Sequence, residues 1–158
     1  MSQLYYAFIY SRIIYGKEVY GACSYTLSNK IQTIQNKLLK FFLNLDPRHP
    51  TDILHANLKI LKVSDMYVIN ILNFVKKNYV SGKCPQIFQN YYVQQLHRYE
   101  VRDRKLQVPR SRTALGSLSL KIKGATLWNN MTQELKDKAN NKNFKKILTK
   151  YYCSRYNN

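Results

Sequence analysis

His97, Arg98, Tyr99, Arg102, Arg104, Lys105, Arg110 and Arg112 fall within sixteen residues of one another. Cations interleaved with aromatics in this way suit a nucleic-acid backbone. Arg and Lys neutralise phosphates and release counterions, which gives affinity without sequence choice. Tyr and His faces can stack on unpaired bases, at about 1–3 kcal/mol per base where that occurs. The competing account is that Tyr91, Tyr92 and Tyr99 anchor the stretch to the protein body. Lys30, Lys37 and Lys40 on an amphipathic segment, and Lys121 and Lys123 further on, extend the candidate set. For any single one of these lysines, a solvated face is the simpler explanation.

Other chemistry is missing. His49, His55 and His97 are scattered and form neither an HExxH nor a Cys/His metal spacing. His55 lies beside Leu54 and Leu58, as a structural histidine would. Glycines are too few and badly spaced to cradle a phosphate. The eight acids include no Asp-x-Asp and no adjacent pair. Two-metal nucleotidyl transfer needs carboxylates close enough to hold ions about 3.5–4 Å apart. A chain that is not a catalyst, with no cofactor and no metal, is therefore expected.

The formal net charge is +18, and it is uneven. Residues 1–50 carry +4 and residues 51–100 carry +3, whereas residues 101–158 hold fourteen Lys/Arg against three acids. A basic lobe on a less charged body is the footprint of a polyanion binder. Nucleic acid is the first candidate and an anionic membrane the second; a tail that only confers solubility is the alternative. Cys23, Cys84 and Cys153 are odd in number, far apart and outside any CxxC. That pattern fits unpaired thiols in a reducing, intracellular compartment, nucleus or cytoplasm. The longest unbroken apolar run, Leu4–Tyr10, has seven residues, well short of the roughly 18 that span a bilayer. No basic region precedes it, as a signal peptide would require, so no membrane partner is expected.

The elements that must position the cations read as mainly α. Residues 4–21 are apolar nearly all round a helix, interrupted by Ser11 and Arg12, so this helix should be wrapped by others. The next helix has Leu27, Ile31, Ile34, Leu38, Phe41 and Leu45 as its packed seam. Asp46-Pro47-Arg48-His49-Pro50 is a loop, because two prolines in four residues exclude helix. A short helix follows from Thr51, then an apolar turn over 58–63. A long helix then runs from Asp65 to about Tyr79, stopped by Ser81-Gly82. Pro85 opens a short helix through Ile87, Phe88 and Tyr91. Residues 91–113 read as a basic extended arm or ordered loop. Leu118, Leu120 and Ile122 alternate briefly, residues 133–142 are linker-like, and Asn143 caps a last helix with Phe144, Ile147, Leu148 and Tyr151 inward. Trp128 is expected to be a packing anchor. The expected architecture is an irregular helical bundle around an apolar N-terminal helix, with a basic arm and a C-terminal helix. Its parts would be a helical bundle at 1–90, an arm at 91–117 and a small basic helical region at 118–158.

Leu4-Tyr5-Tyr6-Ala7-Phe8-Ile9-Tyr10, then Tyr15-Gly16-x-Glu18-Val19-x-Gly21, resembles the segment just beyond the polymerase palm in reverse transcriptases of non-LTR (LINE-type) retrotransposons. Leu27, Ile31 and Gln35-Asn36-Lys37 resemble that family's basic amphipathic helix. Leu58-x-Ile60-Leu61-Lys62-Val63-x-Asp65-x-Tyr67 resembles its next helix start. His97, Arg102, Arg112-Thr113 and Gly124-x-x-Leu127-Trp128-Asn129 resemble its C-terminal block. Tyr20 stands where the family often has Trp, and Asn130-Met131 where Leu-Pro is usual.

The resemblance implies the thumb and C-terminal region of such an enzyme, which grips primer–template duplex behind the palm. It implies that the palm, with its metal-binding aspartates, and the endonuclease lie upstream. No catalytic residue carries over. RNA and/or DNA backbone is then the expected partner, with the palm or self-association through the apolar N-terminal helix as a second kind of partner. A protein-interaction module and the inert product of a decayed element are the alternatives.

Overall fold

The computed structural model describes residues 2–17, 25–95 and 105–157, which are mainly α-helical. Helix α1 covers residues 2–14 and is π-helical over Tyr5–Tyr10. Then follow α2 (Tyr25–Phe42), α3 (Thr51–Leu58) and α4 (Val63–Val75), the last continuing as a π-helical stretch, Lys76–Val80. A 3-10 turn at Gln86–Phe88 precedes α5 (Ala114–Ser117), α6 (Leu120–Asn129), α7 (Gln133–Asp137) and α8 (Phe144–Ser154). Short 3-10 turns follow α7 at Lys138–Asn140 and α8 at Arg155–Asn157. Among the described residues there is no strand, only an isolated antiparallel bridge between Gln94 and Leu106. No described helix is long and apolar enough to cross a membrane.

The chain forms two compact units. One comprises Met1–Tyr67 and Lys146–Asn158, the other Val68–Lys145. The boundaries expected at 90 and 117 both fall inside the second unit.

The first unit is built around a polar contact set. Gln35 is fully buried on α2, and its Nε2 donates to Tyr5 Oη at 2.7 Å and to the Leu61 carbonyl at 2.9 Å. Gln32 Oε1 accepts from the backbone N–H of Val63 at 2.7 Å, so the start of α4 is held by a side chain of α2. His55 is buried on α3, as a structural histidine. Its Nδ1 donates to the Ile60 carbonyl at 2.9 Å, and its Nε2 lies 2.9 Å from Asn36 Oδ1. Burial pushes the His55 pKa down, against the Ile60 bond that pushes it up. Burial also raises the Tyr5 hydroxyl far above its ordinary value. Lys59, left-handed at φ 53°, ends α3 and turns the chain so that Ile60 and Leu61 enter the core. This is the apolar turn expected at 58–63. At the other end of the unit, Tyr156 Oη donates to Asp65 and accepts from the Lys62 backbone N–H at 3.1 Å.

This polar core corrects two expectations. α1 is not wrapped: Tyr5 is buried, while Phe8 is 69% and Tyr15 85% exposed. On α2 the buried positions are Gln35 and Leu39, whereas Leu27, Ile34 and Phe41 of the expected seam face solvent. The helix is rotated about its axis because its hydrogen-bonding residues must meet Tyr5, His55 and Leu61. Leaving those groups unpaired in the core would cost about 1–3 kcal/mol each.

The second unit is held by apolar and aromatic contacts. Ile69, Ile71, Leu72 and Val75 of α4 are buried, each contributing roughly 1.5–3 kcal/mol. Trp128 on α6 is buried, with ring centres 6.0 Å from Tyr79 and 6.5 Å from Phe144. It is the packing anchor its sequence context implies. Residues 118–122 do not form a strand: α6 starts at Leu120, after Ser119. Residues 133–142 are not a linker either. α7 buries Leu135 and the following 3-10 turn buries Ala139, two apolar positions four apart in an otherwise polar segment. α8 follows Asn143 as expected, with Phe144 and Leu148 buried, but Tyr151 is exposed.

Candidate nucleic-acid interface

The predicted cations separate between the two units. Lys30, Lys37 and Lys40 lie on α2 of the first. Lys30 and Lys37 are exposed and, seven residues apart, share one face. Lys40 turns away and donates from Nζ to the Pro47 carbonyl at 2.6 Å, bracing the loop that follows α2. Lys105, Arg110, Arg112, Lys121 and Lys123 lie in the second unit. Arg98, Tyr99, Arg102 and Arg104 lie outside the described residues, as does His97.

What the second unit provides is a closed neck for the basic arm. Gln95 N–H donates to the Lys105 carbonyl at 2.8 Å, and Gln107 N–H donates to the Val93 carbonyl at 2.8 Å. These bonds flank the Gln94–Leu106 bridge. Leu106 is buried, and the Asn129 side chain grips its backbone from both sides. Asn129 Oδ1 accepts from the Leu106 N–H at 2.8 Å, and its Nδ2 donates to the Leu106 carbonyl at 2.9 Å. An amide is the one side chain that can complete a backbone unit in this strand-like manner with both a donor and an acceptor. Sequence reasoning missed Asn129 as a clamp; its place directly after Trp128 was the available signal.

The aromatics beside the neck are anchors. Tyr91 and Tyr92 join Phe74 and Phe88 in a cluster of edge-on rings, with Phe88–Tyr91 at 5.5 Å and Tyr91–Tyr92 at 5.3 Å. Such pairs add about 0.5–1.5 kcal/mol beyond the area they bury. Tyr92 is buried and donates from its hydroxyl to the Leu120 carbonyl at 2.8 Å, which ties α6 to the neck. Its ring packs where Gly124 has no side chain: a Cβ there would lie 2.1 Å from the Tyr92 hydroxyl. Tyr92 is too buried to serve as a base platform, and Tyr91 is half-buried.

Lys105, Arg110 and Arg112 are exposed, and among the described residues none of them makes an ion pair. They follow the neck in sequence up to Thr113, whose Oγ1 caps α5 by accepting from the Gly116 N–H at 3.0 Å. Lys121 is half-buried, with its ammonium 5.5 Å from the Tyr91 ring centre, a cation–π contact that holds it against the cluster. Lys123 is half-buried on the same helix. The geometry therefore brings Lys105, Arg110 and Arg112 onto an anchored backbone, and it gives Lys121 a packing role. No group of three or more His, Cys, Asp or Glu side chains able to hold a metal occurs among the described residues. Cys84 and Cys153 are free thiols, and burial raises the Cys153 pKa.

No family model, no curated protein and no solved structure matches the chain.

Proposed function

We propose that this chain is the thumb and C-terminal region of a non-LTR retrotransposon reverse transcriptase, and that it grips the backbone of an RNA/DNA duplex without catalysing a reaction itself. The observation that carries the reading is three exposed cations, Lys105, Arg110 and Arg112, that make no ion pair among the described residues and follow a neck fixed by the bridge and by Asn129. Backbone held in place next to a cation lowers the cost of ordering it on a polyanion. The net charge of +18 supplies the long-range attraction. The resemblance of residues 4–150 to the thumb and C-terminal block supplies the family. The neck and its cations, with the arm they flank, form the binding surface. Lys30 and Lys37, exposed on the first unit, add further cations.

The test is a titration of a labelled RNA–DNA hybrid at several salt concentrations. The logarithm of affinity falls linearly with the logarithm of salt, with little sequence preference. Arg110→Ala and Arg112→Ala each lower the slope by about one. Affinity that does not respond to salt overturns the reading.

A further inference from the structure

Ser111 stands directly between Arg110 and Arg112, inside the row of cations that follows the neck. From Val108 to Arg112 the chain is exposed apart from half-buried Pro109, and among the described residues its backbone makes no hydrogen bond. The segment is tied at its two ends. On one side the Gln107 N–H donates to the Val93 carbonyl at 2.8 Å, and on the other Thr113 caps α5. Between those ties the backbone can be drawn into the cleft of an enzyme without breaking any part of the fold.

Two hydroxyls lie in this segment, and they differ in what they hold. Thr113 Oγ1 accepts from the Gly116 N–H at 3.0 Å, so α5 loses its cap if that oxygen is taken. Ser111 Oγ donates to the Thr113 carbonyl at 2.9 Å and accepts from the Thr113 N–H at 3.3 Å, local bonds that water replaces at an exposed site. Elsewhere, Thr33 and Thr149 each stand three residues after a lysine, but both sit on helices, and Thr33 Oγ1 donates to the Asn29 carbonyl at 2.9 Å. Reaching either one in extended form means unwinding a helix. The flanks of Ser111 set the class of enzyme. A guanidinium on each side suits a cleft lined with carboxylates, and kinases sort their substrates by such charge patterns. No Asp or Glu occurs between Asp103 and Glu134 to repel that cleft.

We propose that Ser111 is a phosphorylation site for an arginine-directed serine kinase, and that its phosphate switches off the nucleic-acid contacts of Lys105, Arg110 and Arg112. This rests on the reading of those three cations as contacts to a nucleic-acid backbone. In the step, Ser111 Oγ attacks the γ-phosphorus of ATP held by the kinase. The Oγ–P bond forms, the bond from the γ-phosphorus to the β,γ-bridging oxygen breaks, ADP leaves, and the hydroxyl proton passes to the base of the kinase. The product carries a charge of about −1.5 to −2 at pH 7. Placed between two of three cations, it cancels most of their charge and repels the phosphates they would meet.

The test uses the full chain, ATP with Mg²⁺ and an arginine-directed serine kinase, with the modified residue mapped by mass spectrometry. Phosphate appears on Ser111. The phosphorylated chain binds the labelled RNA–DNA hybrid about tenfold or more weakly, with a salt slope lower by about two. Two variants read the charge without the kinase. Ser111→Glu weakens binding, whereas Ser111→Gln, of the same size and uncharged, binds like the parent chain. Four results overturn the switch: no phosphate on Ser111, phosphate on Thr113 in its place, hybrid affinity unchanged by phosphate on Ser111, or equal weakening by Ser111→Glu and Ser111→Gln. None of the four touches the nucleic-acid reading while the unmodified chain keeps its salt-dependent binding. An unmodified chain without that binding overturns the reading, and the switch with it.

Discussion

Gln35 in the first unit and Trp128 in the second are both buried, and they hold their units in different ways. Gln35 works by connecting: Tyr5, Leu61 and, through neighbouring side chains, His55 and Val63 all depend on the polar face of α2. Trp128 works by filling space between Tyr79 and Phe144. The surfaces differ mainly in charge. The first unit, which spends a helix face on hydrogen bonds, leaves Phe8, Tyr15, Ile34 and Phe41 in solvent. The second gathers its rings in two groups, leaves Ile87 and Leu115 in solvent, and carries fifteen Lys/Arg against four acids. A helix has only one core-facing stripe. When polar partners claim that stripe, the apolar residues on other stripes stay outside, and such patches usually mark a binding surface.

The comparison breaks most sharply at Trp128. Trp128→Ala removes a large ring from a packed site and should cost about 3–5 kcal/mol. Native-state hydrogen exchange should show the larger loss of protection in amides of residues 68–145. An equal loss throughout residues 1–67 would mean that the two units share one stabilising core.

Gln35→Leu keeps the volume but orphans the Leu61 carbonyl and the Tyr5 hydroxyl. A loss of about 1–3 kcal/mol in denaturant unfolding is expected. A neutral result would show that the first unit is held by its apolar contacts after all.

The smallest effect is on pH. The folded-state pKa of His55 is lowered by burial, so folding favours the neutral ring. Below about pH 6.5, the ordinary histidine value, the unfolded chain binds more protons than the folded one. Stability is therefore full above that pH and falls as the pH drops through it. Asp52 acts in the same direction but at lower pH: its carboxyl, 2.8 Å from the Lys62 ammonium, is held below the usual carboxylate range by that bond. Thermal unfolding at pH 7.5 and 5.5 isolates the histidine window. His55→Gln should remove most of the difference, and a difference that persists would place the titrating group elsewhere.

Much of this molecule was legible in the linear chain. The helices at α2, α3, α4 and α8 follow from apolar spacing, and the loop after α2 follows from two prolines. Trp128 as an anchor and His55 as a structural residue follow from their apolar neighbours. The cations at Lys105, Arg110 and Arg112 follow from residue type alone, because exposed charges need no partner to be recognised. Less legible was everything that depends on which face of a helix is used. The seam of α2 was read by hydrophobicity, and the buried face turned out to be the one that hydrogen-bonds. Residues 133–142 were read by their polarity, and two apolar residues four apart sufficed to seat α7 and the turn after it. The Asn129 clamp joins residues more than twenty apart in sequence, a separation at which periodicity carries no information.

Local periodicity and breaker residues, acting through backbone sterics and propensity, thus determined where most helices lie, and residue composition determined that the chain is basic. Tertiary structure alone decided the rotation of α2, the fate of α1 and the anchoring of the neck. The reason is that buried polar groups must find partners, and those partners lie on other segments of the chain. That balance is set between segments distant in sequence, and no single segment records it.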